Sequence, residues 1–148
     1  MKIIIQRVRE AQVHVRGELI SQIGQGMLVF LGVEKGDTQA EVEYFVRKIA
    51  EIRMFEDADG KMNLSAADVS AGFLIVSQFT LCGDCNKGRR PSFDRAAEPE
   101  VAKKLYQQFV DQLRSRQFDV ATGEFQAMMD VSLVNDGPVT FTLEGKAR

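Results

Sequence analysis

Two hydroxyl side chains and one amide stand together where an apolar segment ends. Ser77, Gln78 and Thr80 follow the apolar run 72–76, and a rigid strand leading into a polar loop is a common way to build a site. A hydroxyl is a weak nucleophile without an adjacent base, and this stretch holds no acid and no imidazole. We therefore expect Ser77 and Thr80 to hydrogen-bond backbone groups. Gln78 could hold a carbonyl or a water, and backbone amides at the bend could face an oxyanion.

A group of cations follows in the same loop. Lys87, Arg89 and Arg90, with Arg95 beyond them, form the densest positive cluster in the chain. Such a cluster is either a solvated loop or a patch that holds phosphate. The composition leaves both interpretations open.

The cysteines and the single histidine could in principle hold a metal or react. Cys82-Gly-Asp-Cys85 has C-x-x-C spacing, but a long basic loop follows it instead of the helix that lowers a thiol pKa in redox motifs. A zinc site would need two further ligands, and the chain has no other cysteine and only His14. We expect free thiols and no metal site, with a dithiol protein as an alternative. His14 alternates with Val13 and Val15, so it should face solvent or a partner sheet.

A second polar stretch, Asn135-Asp-Gly-Pro-Val-Thr140, lies between two segments of alternating apolar residues. Proline cannot donate a hydrogen bond to a strand ladder. The stretch is therefore either an ordinary hairpin turn or a place where Gly137-Pro138 forms a cis peptide kept for its shape.

Length and composition place these stretches in one ordinary domain, residues 1–148. The hydrophobic fraction is 45% and the net charge is −2, so bulk charge does not argue for a nucleic-acid partner, although a local basic patch could act alone. No apolar run approaches the roughly 20 residues of a membrane span, and the charged N-terminal residues do not resemble a signal peptide. We expect a cytoplasmic protein without a membrane partner.

The elements that must position these residues are read from periodicity. Residues 2–15 suggest two strands separated by Arg9-Glu10, and the apolar run 27–33 suggests a central strand buried on both faces. Thr38 and Glu41 fit the capping box of a helix that should run to about Met54.

The second half of the chain gives one further helix and several strands. Glu98-Pro99-Glu100 is typical of a helix start, with strand candidates in 118–134 and in 139–143. The predicted fold is α+β, with a mostly antiparallel, barrel-like sheet and two main helices.

The polar stretches together resemble a known family. Ser77-Gln-Phe-Thr-Leu and Lys87-Gly-Arg-Arg-Pro-Ser-Phe are similar to the first motif of the bacterial-type D-aminoacyl-tRNA deacylases, and Asn135-Asp-Gly-Pro-Val-Thr is similar to the second. The N-terminal segment Met-Lys-Ile-Ile-Ile-Gln-Arg-Val also matches, and the resemblance covers essentially the whole chain.

The resemblance implies hydrolysis of the ester bond of D-aminoacyl-tRNA without a cofactor. Selection by steric exclusion would also admit mischarged glycyl-tRNA, because glycine has no side chain. Ser77, Gln78, Phe79 and Thr80 are the implied catalytic set, and the ribose 2′-hydroxyl of the substrate is expected to assist. Phe125 and Met129 fall where the family lines a pocket for the terminal adenosine.

The resemblance also implies a homodimer with its active site at the subunit interface. Gly137-Pro138 of one chain should be cis and enter the pocket of the other, where it excludes L-aminoacyl esters by clash. Arg7 should hold this dipeptide in position. A non-catalytic RNA-binding module and a C-x-x-C dithiol protein remain as alternatives.

Overall fold

A computed structural model describes residues 1–147 and shows a mixed sheet carrying two helices. The strands are β1 (Lys2–Val15), β2 (Glu18–Ile23), β3 (Gly26–Gly32), β4 (Phe55–Glu56), β5 (Met62–Leu64), β6 (Gly72–Ser77), β7 (Val120–Thr122) and β8 (Asp130–Glu144), and the helices are α1 (Gln39–Glu51) and α2 (Pro99–Ser115). The main sheet has the order β2-β1-β3-β6-β7, with β8 on β1, and β4 pairs only with β5. The sheet curls so that β2 lies close to β6 and β7, which gives a nearly barrel-shaped α+β fold.

The sheet is less antiparallel than the sequence suggested. β1 pairs antiparallel with β2, β3 and β8, but β3–β6 and β6–β7 are parallel. The reason is the order of elements, because α1 lies between β3 and β6 and α2 lies between β6 and β7. A crossover through a helix returns the chain in the same direction.

β1 is one strand of 14 residues, not the two that were predicted. Arg9-Glu10 does not form a turn. Instead, the pairing with β8 shifts register between Gln6 and Val8 and again between Val8 and Glu10, so the irregularity is absorbed within the ladder. Val8 still pairs with Asn135, and Glu10 pairs with Val134.

β8 is likewise a single strand, of 15 residues, which runs through the predicted hairpin turn. Its pairing with β1 continues on both sides, from Lys2↔Glu144 to His14↔Asp130. The hairpin interpretation of Asn135–Pro138 was therefore wrong. The Gly137–Pro138 peptide is cis and lies in the irregular part of the ladder.

The capping box of α1 forms as predicted. Thr38 Oγ1 accepts a hydrogen bond of 3.2 Å from the Ala40 amide, and the Thr38 amide donates one of 2.7 Å to Glu41 Oε2. The helix ends at Glu51, earlier than the expected Met54, because Ile52 already has extended backbone angles. The other helix, α2, begins at Pro99, where the Glu-Pro-Glu pattern placed it.

The core has two parts, one on each face of the sheet. The larger packs both helices against β1, β3 and β6 around Phe45, Phe73 and Phe109. The smaller is built around Leu28, Leu74 and Val76 and is covered by the segment leading into β8. No helix within residues 1–147 is long and apolar enough to cross a membrane.

Candidate active site

A cavity of about 780 Å³ opens where the three parallel strands end. Val33 follows β3, Ser77 ends β6, and the segment after β7 supplies Phe125, so residues at or just beyond all three carboxyl ends line the same space. In sheets of this kind, ligands bind outside the carboxyl ends of the strands. The volume is within the range of small-molecule sites.

The predicted catalytic stretch forms one wall of this cavity. Ser77, Gln78, Phe79 and Thr80 all line it, the first two half-buried and the last two exposed. The backbone amide of Gln78 donates a hydrogen bond of 2.8 Å to Leu31 O, which continues the β3–β6 pairing past Ser77. A short 3-10 turn, Phe79–Cys82, then turns the chain away.

Gln78 and Thr80 contact each other through their side chains. Gln78 Nε2 donates a hydrogen bond of 3.1 Å to Thr80 Oγ1. The prediction that Thr80 hydrogen-bonds a backbone group was therefore wrong, since within residues 1–147 its hydroxyl accepts from the Gln78 side chain instead. The contact fixes the orientation of Gln78 at the cavity wall.

Another part of the cavity lining is apolar and rests on a buried tyrosine. Phe125 and Met129 both line the cavity, so the structure brings them together with the Ser77–Thr80 stretch. The Phe125 ring packs against Tyr106, with ring centroids 5.8 Å apart, and the Tyr106 hydroxyl donates to Ile75 O at 2.8 Å. Burial raises the pKa of Tyr106 to about 12, so the hydroxyl keeps its proton as a donor beneath the site.

Several lining residues were not assigned to the site from the sequence. Phe93 packs edge-to-face on Phe79 with ring centroids 5.1 Å apart, and Lys35, Ala97 and Met128 are among the other lining residues. Phe93 closes the motif that begins at Lys87, so its place in the motif was the available signal. The others come from loops whose position depends on tertiary contacts. Ala97, for example, is held by a hydrogen bond of 3.0 Å from its backbone amide to Val33 O.

Gly137-Pro138 lies apart from this cavity. Both residues are exposed on β8 and neither lines the space. Arg7, which is only 4% exposed, donates from Nε to Asp136 O at 3.0 Å and from Nη1 to Met54 O at 2.8 Å. Arg7 thus fixes the carbonyl directly before the dipeptide.

The remaining candidates do not line the cavity. Cys82 is buried with Sγ 3.5 Å from Val33 O, burial raises the pKa of its thiol, and Cys85 is exposed. A raised pKa is the opposite of what a reactive thiolate needs. His14 is half-buried on β1 opposite Leu19 and Asp130, and does not line the cavity.

Comparison with known proteins identifies the family to which this arrangement belongs. The family model for D-Tyr-tRNA(Tyr) deacylase matches residues 4–144. The chain belongs to the D-Tyr-tRNA(Tyr) deacylase family. The family match spans both motif stretches as well as Arg7 on β1.

Relatives of this deacylase family match over nearly the full length. A D-aminoacyl-tRNA deacylase of Geobacter sulfurreducens is 57% identical over 148 residues, covering 100% of this chain and 97% of that protein. One from Thermosipho africanus is 52% identical over 146 residues, covering 99% of this chain and 98% of that protein.

Solved structures share the fold of this deacylase-family chain. A c-Myc DNA Unwinding Element Binding Protein aligns with a TM-score of 0.93 at 45% identity, covering 99% of this chain and 100% of that chain. A structure described as that of a probable eukaryotic D-amino acid tRNA deacylase aligns with a TM-score of 0.81 at 18% identity, covering 96% of this chain and 97% of that one, and shows the fold alone.

Proposed function

We propose that this chain hydrolyses the ester bond of D-aminoacyl-tRNA and releases the free D-amino acid and tRNA. One observation carries the proposal: in a chain of this family, Ser77–Thr80 and the apolar pair Phe125 and Met129 line one cavity. Polar groups on one wall can orient the ester, and an aromatic wall can receive a base. Such a substrate is in keeping with a cytoplasmic location.

The terminal adenosine of the tRNA is assigned to the side of the cavity formed by Phe125 and Met129. Phe125 is held in place by Tyr106, so it offers a fixed aromatic face. Stacking of a base on an aromatic side chain is tolerant of sequence and contributes roughly 1–3 kcal/mol. This places the aminoacyl ester toward Gln78.

The reaction we propose needs no covalent enzyme intermediate. A water adds to the ester carbonyl, the bond from the carbonyl carbon to the ribose oxygen breaks, and that oxygen takes one proton from the water. Gln78, oriented by Thr80, positions the carbonyl or the water, and amides at the start of the 3-10 turn have no partner within that turn and can face the oxyanion. The aminoacyl ester is already activated, and the neighbouring ribose 2′-hydroxyl assists its hydrolysis.

A nucleophile mechanism makes a different prediction for the Ser77 hydroxyl, whereas loss of the Thr80 hydroxyl also removes a contact of Gln78. Loss of activity in both Ser77→Ala and Thr80→Ala, with substrate binding intact, would support attack by a side chain. We expect Ser77→Ala to retain measurable turnover, because among residues 1–147 no acid or imidazole hydrogen-bonds to its hydroxyl.

Selection for the D configuration is assigned to Gly137-Pro138 of a second copy. The dipeptide is exposed, is held by Arg7, and lies away from the cavity of its own chain. The same strand exposes Val134 (44%) and Phe141 (37%), apolar side chains suited to being covered by protein. In the proposed homodimer, the dipeptide fills the space that an L side chain would need.

Exclusion by clash has a consequence for glycine. A glycyl ester has no side chain to meet the dipeptide, so we expect glycyl-tRNA to be hydrolysed. L-alanyl-tRNA differs by one methyl group and should resist. Equal resistance of the two would contradict selection by steric exclusion.

The central experiment compares D-tyrosyl-tRNA with L-tyrosyl-tRNA using purified protein. We expect rapid release of D-tyrosine and background release of L-tyrosine. Equal rates on both, or no release of either, would overturn the proposed function.

A second candidate function comes from one relative. The 45% identical solved structure is that of a protein described as binding a DNA unwinding element. A non-catalytic nucleic-acid-binding role would give binding of tRNA or duplex DNA without ester hydrolysis in the same assay. If the two cysteines carried the function, the double variant C82S/C85S would lose its activity. We expect C82S/C85S to keep full deacylation of D-tyrosyl-tRNA.

A further inference from the structure

The loop of residues 85–91, called here the basic loop, is a compact projection with a closed base. The Asp84 amide donates to Ser92 O at 2.8 Å, and the Ser92 amide donates to Asp84 O at 2.9 Å. Between these bonds the sequence is Cys-Asn-Lys-Gly-Arg-Arg-Pro, with three cations and no acid. The loop therefore presents concentrated positive charge from a fixed base.

Among the residues that the structure describes, these cations form no ion pair. Lys87, Arg89 and Arg90 are all exposed, and across residues 1–147 none of them lies within ion-pair distance of a carboxylate. The protein as a whole carries a net charge of −2, so this loop runs against the overall charge. Three like charges in four residues repel one another, and an anionic partner relieves that repulsion.

The basic loop adjoins the mouth of the cavity. Phe93 lines the cavity and packs on Phe79, and Arg90 is three residues before it, at most about 10 Å along an extended chain. The charged residues that line the cavity are Lys35, Asp94 and Glu98, so the lining itself carries no excess of positive charge. The basic loop is therefore the concentrated cationic feature beside the mouth.

We propose that the basic loop binds the sugar–phosphate backbone of the nucleotides that precede the terminal adenosine of the tRNA. This rests on the proposed function, which places that adenosine in the cavity. Each preceding nucleotide brings one phosphate, and arginine and lysine are the usual partners of phosphate oxygens. The contacts lie away from the ester, so they strengthen substrate association and leave the chemical step unchanged.

The test compares two substrates that differ in their upstream phosphates. The triple variant K87A/R89A/R90A is assayed with D-tyrosyl-tRNA and with 3′-O-(D-tyrosyl)adenosine, which has none. We expect kcat/KM for the tRNA to fall roughly tenfold at low salt, with kcat at saturation unchanged. The slope of log kcat/KM against log salt should become shallower by about 2, since each single-strand phosphate contact contributes about 0.7. Hydrolysis of the adenosine ester should stay at the wild-type level.

Two further variants control for charge and for folding. K48A/K61A/K104A removes three exposed cations located on the helices and on the loop before β5, and should leave both substrates unaffected. R89K/R90K keeps the charge and should retain most of the salt dependence. Thermal unfolding of each variant checks that the fold is intact.

The outcomes separate this proposal from the function on which it rests. Wild-type rates and salt slope in K87A/R89A/R90A overturn the phosphate contacts alone, because the deacylase activity is then present without them. An equal loss with both substrates also overturns them, since the loop would then act on the reacting end. A wild-type protein inactive on both substrates overturns the proposed function and the phosphate contacts together.

Discussion

Arg7 Nε donates a hydrogen bond of 3.0 Å to the carbonyl oxygen of Asp136, the residue that precedes Gly137. The same guanidinium bonds to Met54 O at 2.8 Å, so it links β8 to the chain segment that follows α1. A planar group with several donors suits this double contact better than a lysine ammonium. The position of the exposed dipeptide thus depends on a buried side chain.

We expect Arg7→Lys to weaken discrimination between D and L substrates. A lysine keeps the charge but cannot reach both carbonyls, so Gly137-Pro138 should lose its fixed position. The ratio of D-tyrosyl-tRNA to L-tyrosyl-tRNA hydrolysis should fall at least about tenfold, in line with the cost of losing a charged hydrogen bond.

Arg9→Lys is the matched control for that variant. Arg9 also contacts Asp136, with Nε 3.5 Å from Oδ1, but it is 74% exposed. Exposed ion pairs contribute little free energy, so the D-to-L ratio of the R9K variant should stay at the wild-type value. A folded R7K protein with an unchanged D-to-L ratio would show that Arg7 does not position the selecting group.

The Gln78–Thr80 contact gives a second prediction, on turnover. Thr80→Val keeps the shape but removes the acceptor for Gln78 Nε2, so Gln78 should lose its orientation. We expect kcat to fall roughly tenfold to a hundredfold with little change in KM, as for other displaced positioning groups. Thr80→Ser keeps the hydroxyl and should stay near wild type. Equal kcat values in T80V and T80S would mean that this contact does not matter.

Tyr106 gives a prediction on stability. Tyr106→Phe removes the bond to Ile75 O, but that carbonyl keeps the Gly123 amide at 3.0 Å. We therefore expect a loss of about 1 kcal/mol in unfolding free energy, measured by denaturant titration, and no larger penalty. In wild type, tyrosinate absorbance should show a component near pH 12 that is missing in the variant. Its presence in both proteins would contradict the buried environment of Tyr106.

The cap of α1 predicts how stability changes with acid. Burial works to raise the pKa of Glu41, but hydrogen bonds from the Ala147 amide and from Thr38 outweigh it and lower that pKa from 4.5 to about 2. A carboxylate whose pKa is lowered on folding stabilises the fold above pH 4.5, and that contribution disappears as the pH falls toward 2.

We expect Glu41→Gln to reduce stability by roughly 1 kcal/mol at pH 7, as loss of a cap does, and to flatten the decline between pH 4.5 and 2. Glu43→Gln makes the same charge change at an exposed position of α1 and serves as the control. Urea titrations across this pH range decide the matter. If stability fell equally steeply between pH 4.5 and 2 in E41Q and wild type, Glu41 would not be the cause of the decline.

The sequence was most informative where chemistry and local patterns agree. The Thr38–Glu41 capping box and the start of α2 depend on neighbouring residues alone, so they could be predicted. The resemblance brought Phe125 and Met129 to the same site as Ser77–Thr80, and the cavity contains all of them.

Long-range pairing explains what the sequence did not reveal. Arg9-Glu10 was interpreted as a break because it interrupts an apolar pattern, and Asn135–Pro138 because Asn, Asp, Gly and Pro favour turns. In the fold each stretch lies opposite the other, and the register shifts between β1 and β8 absorb both. The parallel pairs could have been predicted from the helices that separate β3, β6 and β7.

The separation of Gly137-Pro138 from the cavity of its own chain has a genetic consequence. In the proposed homodimer every working site draws its reacting groups from one subunit and its selecting group from the other. A chain damaged only at Gln78 and a chain damaged only at Gly137, when mixed, would form hybrids in which one site carries both lesions and the other carries neither. Coexpression of the two alleles should thus produce active and selective sites that neither variant forms alone, one of the two sites in each hybrid.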